Sequence, residues 1–207
     1  MCALVLELLA LALPACSGSA PSPDRDLEVA AVEDLTSAGT ELTYRVFGPD
    51  GSFPLTVDIV QNDAASTVLE VGADAIAEVQ SSSIAMTRAV ITPTAREDAA
   101  LLVTRFASDR YGVEGMTTMR LARSDFRRLM AGESVLINAD GTGYTFALQG
   151  TGTRWAPVDG ERTAIATARF STRDGRSITV SNDPGEPLIL AYEGVDGNDW
   201  WIGSVTR

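Results

Sequence analysis

Glu161-Arg162-Thr163-Ala164-Ile165-Ala166-Thr167-Ala168-Arg169-Phe170-Ser171-Thr172-Arg173-Asp174-Gly175-Arg176-Ser177-Ile178-Thr179-Val180 is the stretch on which the fold turns. Ala164, Ala166, Ala168 and Phe170 recur with period two, the spacing of one face of a strand. Asp174-Gly175 follows, a pair that supplies the positive φ angles of a tight turn. Ser177 to Val180 then resume the extended pattern. The same unit stands just upstream, where Val135 and Ile137 lead through Asp140-Gly141-Thr142-Gly143 into Tyr144, Phe146 and Leu148. Asp-Gly recurs at 50–51, 159–160 and 196–197. The residues around these pairs do not repeat, so they punctuate hairpins and do not mark a solenoid.

Working outward, antiparallel strands are expected at about 133–138, 143–149, 163–172, 176–182, 187–193 and 199–206. Leu42, Tyr44 and Val46 alternate with polar neighbours, as do Leu55, Val57 and Ile59. Between them lies the turn cluster Gly48-Pro49-Asp50-Gly51-Ser52, which predicts a hairpin over 41–61. Residues 66–71 and 99–106 read as further strands, 74–92 fit neither period, and 27–38 form a short helix or an irregular lead-in. One helix is expected at about 124–131. Ser124 suits its N-cap, Asp125 its first turn and Gly132 its stop, and Phe126, Leu129 and Met130 give it one apolar face. The expected fold is mainly β: an antiparallel β-sandwich or a curved, partly open β-barrel with one short helix.

The amino terminus has a different character. Leu4 to Leu13 is apolar apart from Glu7, too short to span a bilayer but long enough for a signal-peptide core. It ends in Leu13-Pro14-Ala15-Cys16, which resembles the lipobox of bacterial lipoproteins. Leu13 matches the apolar position, Ala15 the small residue before the cut and Cys16 the acylated residue. Pro14, Glu7 and the lack of a basic residue ahead of the apolar run depart from the usual pattern. The resemblance implies a signal peptide over 1–15, lipidation of Cys16, and multiple acyl chains that anchor the chain stably to a membrane. Ser17, where an Asp would imply inner-membrane retention, implies outer-membrane sorting facing the periplasm. The Ser-, Gly- and Pro-rich residues 16–26 read as a tether, and 27–207 as a single β-rich periplasmic domain. The order of strands loosely resembles the half-barrels of periplasmic lipoprotein carriers.

Composition limits the chemistry. The 207 residues hold 28 acids, 16 basic residues and no histidine, for a formal charge of −12. All the basic residues are arginine. Without His there is no Ser-His-Asp system or imidazole metal site, and without Lys no Schiff base or Walker lysine. Lipidation of Cys16 would also remove thiol chemistry from the folded part, since the other cysteine is Cys2. The negative field disfavours nucleic acid.

Paired carboxylates are the remaining acid/base chemistry: Glu97-Asp98, Asp183 with Glu186, and Glu193 with Asp196 and Asp199. So many acids cluster by chance, and solvated charge accounts for these. Gly194 to Asp199 lacks calcium-loop spacing and reads as a hairpin turn. Gly141-Thr142-Gly143 and Gly150-Thr151-Gly152-Thr153 lead into no helix and read as turn glycine, not a phosphate cradle. Arg120, Arg123, Arg127 and Arg128 form a basic cluster that either meets a partner or pairs with nearby Asp125, Glu133 or other acids. Trp200-Trp201 makes the last strand apolar on both sides, with Trp200 and Ile202 facing one way and Trp201 and Val205 the other. By default both faces of that strand are covered; the alternative is that one Trp lines a groove, which with the basic cluster would give a ligand or partner surface drawn from Trp155, Trp200, Trp201, Tyr144, Tyr192, Arg123 and Arg127. No catalytic residue, metal or cofactor is assigned. The reading is a membrane-anchored periplasmic lipoprotein of unknown specific role, a non-catalytic module that binds an apolar ligand or an envelope protein or serves envelope assembly, without nucleic acid. The alternative is a carboxylate-dependent hydrolase acting on a cell-envelope glycan.

Overall fold

The computed structural model describes residues 35–48, 51–72, 87–104, 114–195, 197 and 199–207. The expected signal peptide, Cys16 and the tether lie outside the described residues, as does most of the 27–38 lead-in. The strands are β1 (Glu41–Gly48), β2 (Gly51–Asn62), β3 (Thr67–Gly72), β4 (Thr87–Ile91), β5 (Leu101–Val103) and β6 (Met116–Thr118). They continue with β7 (Val135–Ala139), β8 (Thr142–Val158), β9 (Glu161–Ser171), β10 (Ser177–Ser181), β11 (Ile189–Glu193) and β12 (Asp199–Thr206). Helix α1 (Pro93–Glu97) lies between β4 and β5, and α2 (Arg123–Met130) between β6 and β7.

The strands join in the order β4-β3-β2-β1-β12-β11-β10-β9-β8-β7-β5-β6. Pairing is antiparallel except where β5 meets β6 and β7, and at one parallel pair, Val205 with Val158, between β12 and β8. That last pair brings the far end of β8 back to β12. The sheet therefore curls on itself without closing into a barrel, so the chain has a curved, partly open β fold with short helices.

Local chemistry accounts for the hairpins. Asp140 and Gly141 have φ of 50° and 89°, and Asp159 and Gly160 have φ of 51° and 82°. Two consecutive left-handed residues form the two-residue turn whose twist matches that of the flanking strands. These turns connect β7 to β8 and β8 to β9. Gly132 ends α2 with φ of 87°.

Three local expectations need correction. Helix α2 begins one residue early, with Ala122 at the N-cap and no side-chain cap. The Ser124 hydroxyl instead points to Asp98, 3.4 Å away. Gly150-Thr151-Gly152-Thr153 is not a turn but the middle of β8. The register steps from Leu148↔Phe170 to Gly150↔Arg169, so Gln149 is an extra bulged residue and the strand runs on past it. Finally, Val205 does not share a face with Trp201. The register steps from Tyr44↔Ile202 to Thr43↔Ser204, leaving Gly203 as the extra residue. One inserted residue shifts the alternation by one. Trp200, Ile202 and Val205 consequently all enter the core.

The core is continuous across the inner side of the curl. Trp200 stands edge-on to Tyr44, with ring centroids 5.2 Å apart, and stacks on Tyr192 at 6.0 Å. Its indole N–H donates to the Thr104 carbonyl at 3.1 Å, and the Tyr44 hydroxyl donates to the Ile189 carbonyl at 3.1 Å. Buried polar tips are thereby paired, as low-dielectric surroundings require. Phe126 of α2 meets Phe170 of β9 edge-on at 6.0 Å, which seats the helix on the sheet.

Candidate functional site

The densest polar chemistry in the described residues gathers where α1, α2 and two loops meet. Thr92 caps α1 by accepting the Ala95 N–H at 3.2 Å, and Pro93 occupies the first turn, where its missing N–H costs nothing. Five residues suffice to turn Arg96 inward, where it is 6% exposed. The turn after β2 is held by Asp63, whose carboxylate accepts the Ala65 and Ser66 N–H groups at 2.7 and 3.1 Å. These backbone donors hold its pKa below the usual carboxylate range. The Asp63 carbonyl in turn accepts from the Arg96 guanidinium.

Arg120 arrives from the other side. Met119, a bulky residue with φ of 58°, bends the chain after β6 into a conformation that non-glycine residues rarely adopt. Backbone bonds of 2.8 Å from Ile189 N–H to the Met119 carbonyl and 3.0 Å from Leu121 N–H to the Pro187 carbonyl hold that bend. Arg120 is left 3% exposed. The loop before β11 is pinned in its turn. Ser181 Oγ accepts the Leu188 N–H at 2.8 Å and donates to the Glu186 carbonyl at 2.9 Å, while Asp183 accepts the Gly185 N–H at 2.7 Å. The loop so fixed presents Glu186 to Arg120 and to Arg123, the latter at 2.9 Å.

Two guanidiniums thus hold one carboxylate, with Arg96 a third cation near Arg120. Burial holds Arg120 below the usual arginine range; Glu186 opposes that shift, and the like charges of Arg96 and Arg123 add to it. A recess of about 450 Å³ opens here, lined by Asn62, Asp63, Ala64, Pro93, Arg96, Arg123 and Glu186.

The residues singled out from sequence separate in space. Trp200 and Tyr192 are 2% and 5% exposed, so both belong to the core and neither lies on an open surface. The curl of the sheet puts them there. Trp201 is half-buried against Phe47, ring centroids 4.1 Å apart. Trp155 is on the surface with the Arg162 guanidinium 4.6 Å from its ring centroid, and Tyr144 has Arg176 at 4.3 Å. Tyr144 also lines a broad groove of about 830 Å³ with Thr145, Gln149, Thr172 and Arg173.

The basic cluster resolves into pairs. Arg127 meets Glu97 of α1, Arg128 meets Glu133, and Arg120 and Arg123 share Glu186. The acid clusters are engaged as well: Glu193 with Arg169 and the Ser177 hydroxyl, and Asp199 with the Gly194 N–H. Asp196 lies outside the described residues. Arg96 went unnoticed in the sequence, although Thr92-Pro93 is the start signal of the helix that carries it.

Asp125 differs from the other acids. Burial, with a smaller contribution from Asp98 and against the pull of Arg128, pushes its carboxyl up to about 6. The ordinary value is 3.8, so between about pH 4 and 6 the folded chain binds a proton that the unfolded chain has released. Stability then falls as pH rises through this window, and the full penalty stands above it. Asp125→Asn should therefore raise the melting temperature at pH 7, with the gain shrinking towards pH 4. Melting curves across pH 4–8 check this; a gain that does not change with pH would refute it.

Comparison with protein-family models gives no match, and comparison with curated proteins gives none either.

Proposed function

We propose that the chain is a membrane-anchored lipoprotein of the cell envelope, facing the periplasm from the outer membrane, whose β-rich domain binds a ligand or an envelope partner. The observation that supports binding most is the pairing of Arg120 and Arg123 on Glu186 beside an open recess that Arg96 also lines. Arginine forks suit recognition of anionic groups, and they are poor acids and bases at neutral pH. Polar and charged residues predominate in the lining of both recesses, which suits a polar ligand or a protein surface. The anchor rests on Leu13-Pro14-Ala15-Cys16 and the tether after it.

Metabolic labelling of the expressed chain with a palmitate analogue tests the anchor. Label should enter the wild-type chain and be lost from Cys16→Ala. Equal labelling of the two would remove the lipoprotein reading. Co-purification from detergent extracts then reads the ligand or partner directly.

One observation favours the hydrolase reading: the carboxyl of Asp125 is pushed up to about 6, mainly by burial and in part by the nearby charge of Asp98. Release of reducing sugar from peptidoglycan by the purified chain, abolished in Asp125→Asn, would establish it. No release by the wild-type chain would end it.

A further inference from the structure

We infer that the recess between the β2–β3 turn, α1 and the loop before β11 is a binding site for a monoanionic carboxylate group. The inference rests on the binding reading above and names the ligand class. Arg96 and Arg120 are each more than nine-tenths buried, and the Nε–H of each has no hydrogen-bond partner. Arg96 itself lines the recess. A buried donor left unmatched is costly, more so on a charged group. Of the two, Arg96 lines the opening and Arg120 lies behind it on Glu186, so it is at Arg96 that an entering acceptor is favoured.

Charge leads to the same conclusion. Arg96 and Arg123 line the recess with Asp63 and Glu186, and Arg120, behind Glu186, adds a third guanidinium, which leaves one positive charge over in the cluster. It sits in a chain whose formal charge is −12. One added negative charge balances the site, whereas a phosphate dianion would overshoot it against two resident acids. The forked donors already hold one carboxylate, that of Glu186, across Arg120 and Arg123. A second planar carboxylate meets the same donor geometry. The recess, at about 450 Å³, has room for a small molecule behind that group, and Ala64 and Pro93 offer it an apolar wall.

The test follows the arginine Nε–H signals of the ¹⁵N-labelled full chain in detergent micelles. Sodium acetate is titrated in at fixed ionic strength, balanced with sodium chloride, and inorganic phosphate is titrated in parallel. Acetate should shift the Arg96 and Arg120 signals saturably, and phosphate should bind more weakly. Arg123→Gln, at a side chain one-third exposed, should weaken acetate at least fivefold with the backbone amide spectrum preserved. Arg123→Lys, which keeps the charge without the fork, should fall between. Arg128→Gln, paired with Glu133 away from the recess, should match wild type. No saturable acetate shift, or the same affinity in Arg123→Gln, overturns the site. Phosphate binding tighter than acetate overturns the choice of carboxylate. Failure here, with palmitate label still lost in Cys16→Ala, leaves the anchored-lipoprotein reading standing.

Discussion

Truncating Trp200 to alanine should destabilise the domain by about 3–5 kcal/mol, the range for removing a buried aromatic from a packed core. For a domain of this size that is a drop in melting temperature on the order of 10 °C. The side chain is among the largest that are fully buried, and it touches Tyr44 from β1 and Tyr192 from β11. β12 is the strand that pairs with both of those strands, so the cavity would open at the seam joining the amino-terminal and carboxy-terminal halves of the sheet. Trp200→Phe separates packing from hydrogen bonding. It retains most of the ring and removes the donor to the Thr104 carbonyl, for a smaller loss of about 1–2 kcal/mol. Urea unfolding of the three chains is the measurement. A Trp200→Ala loss below about 1 kcal/mol would mean that the seam is not packed as described.

Glu186→Ala should be comparably damaging. The carboxylate is the shared partner of Arg120, whose side chain is 4% exposed, and of Arg123. Its removal leaves a guanidinium buried without a counter-charge, beside two others of the same sign, and breaking a buried pair in this way costs about 3–5 kcal/mol. The pair itself need not be strongly stabilising, because bringing both charges out of water offsets most of their attraction. The double variant Arg120→Met with Glu186→Ala should therefore recover much of the loss. A double-mutant cycle reads that coupling as the difference between the double variant and the sum of the singles. If adding Arg120→Met gives no rescue, the damage from losing Glu186 comes from the loop it belongs to and not from stranded charge.

The hairpins were legible in the residues themselves. Asp140-Gly141 joins β7 to β8 because Asp-Gly tolerates the two left-handed conformations the turn needs, and the alternation of Leu42, Tyr44 and Val46 forecasts β1. Helix α2 was legible from its apolar face and its terminal glycine. What escaped was phase. Gln149 and Gly203 are bulge residues, and nothing in a single sequence tells an inserted residue from an ordinary one in the alternation. Each bulge is defined by its partner strand, Phe170-Arg169 for the first and Thr43-Tyr44 for the second. Trp200 and Tyr192 face inward because the curl of the sheet covers that side, which is the covered alternative and not the groove.

The candidate site was half legible. Arg120, Arg123 and Glu186 were each marked, but in separate clusters: the arginines as one basic group, Glu186 as one of two acids with Asp183. Asp183 instead folds the loop, while Glu186 crosses to arginines more than sixty residues away in the chain. Arg96 was not marked, because a five-residue helix gives too few positions for periodicity to register.

Sequence by itself determined the β class, the turns, the arginine-only basic chemistry and the resemblance to a lipobox, since each depends on a residue and its near neighbours. Only the tertiary structure decided that β12 joins the two halves, that the curl takes Trp200 inside, and that Arg120 and Arg123 converge on Glu186 in a recess shared with Arg96. Those depend on strand order and register, which are settled by burying the whole apolar surface at once and not by the preference of any one segment.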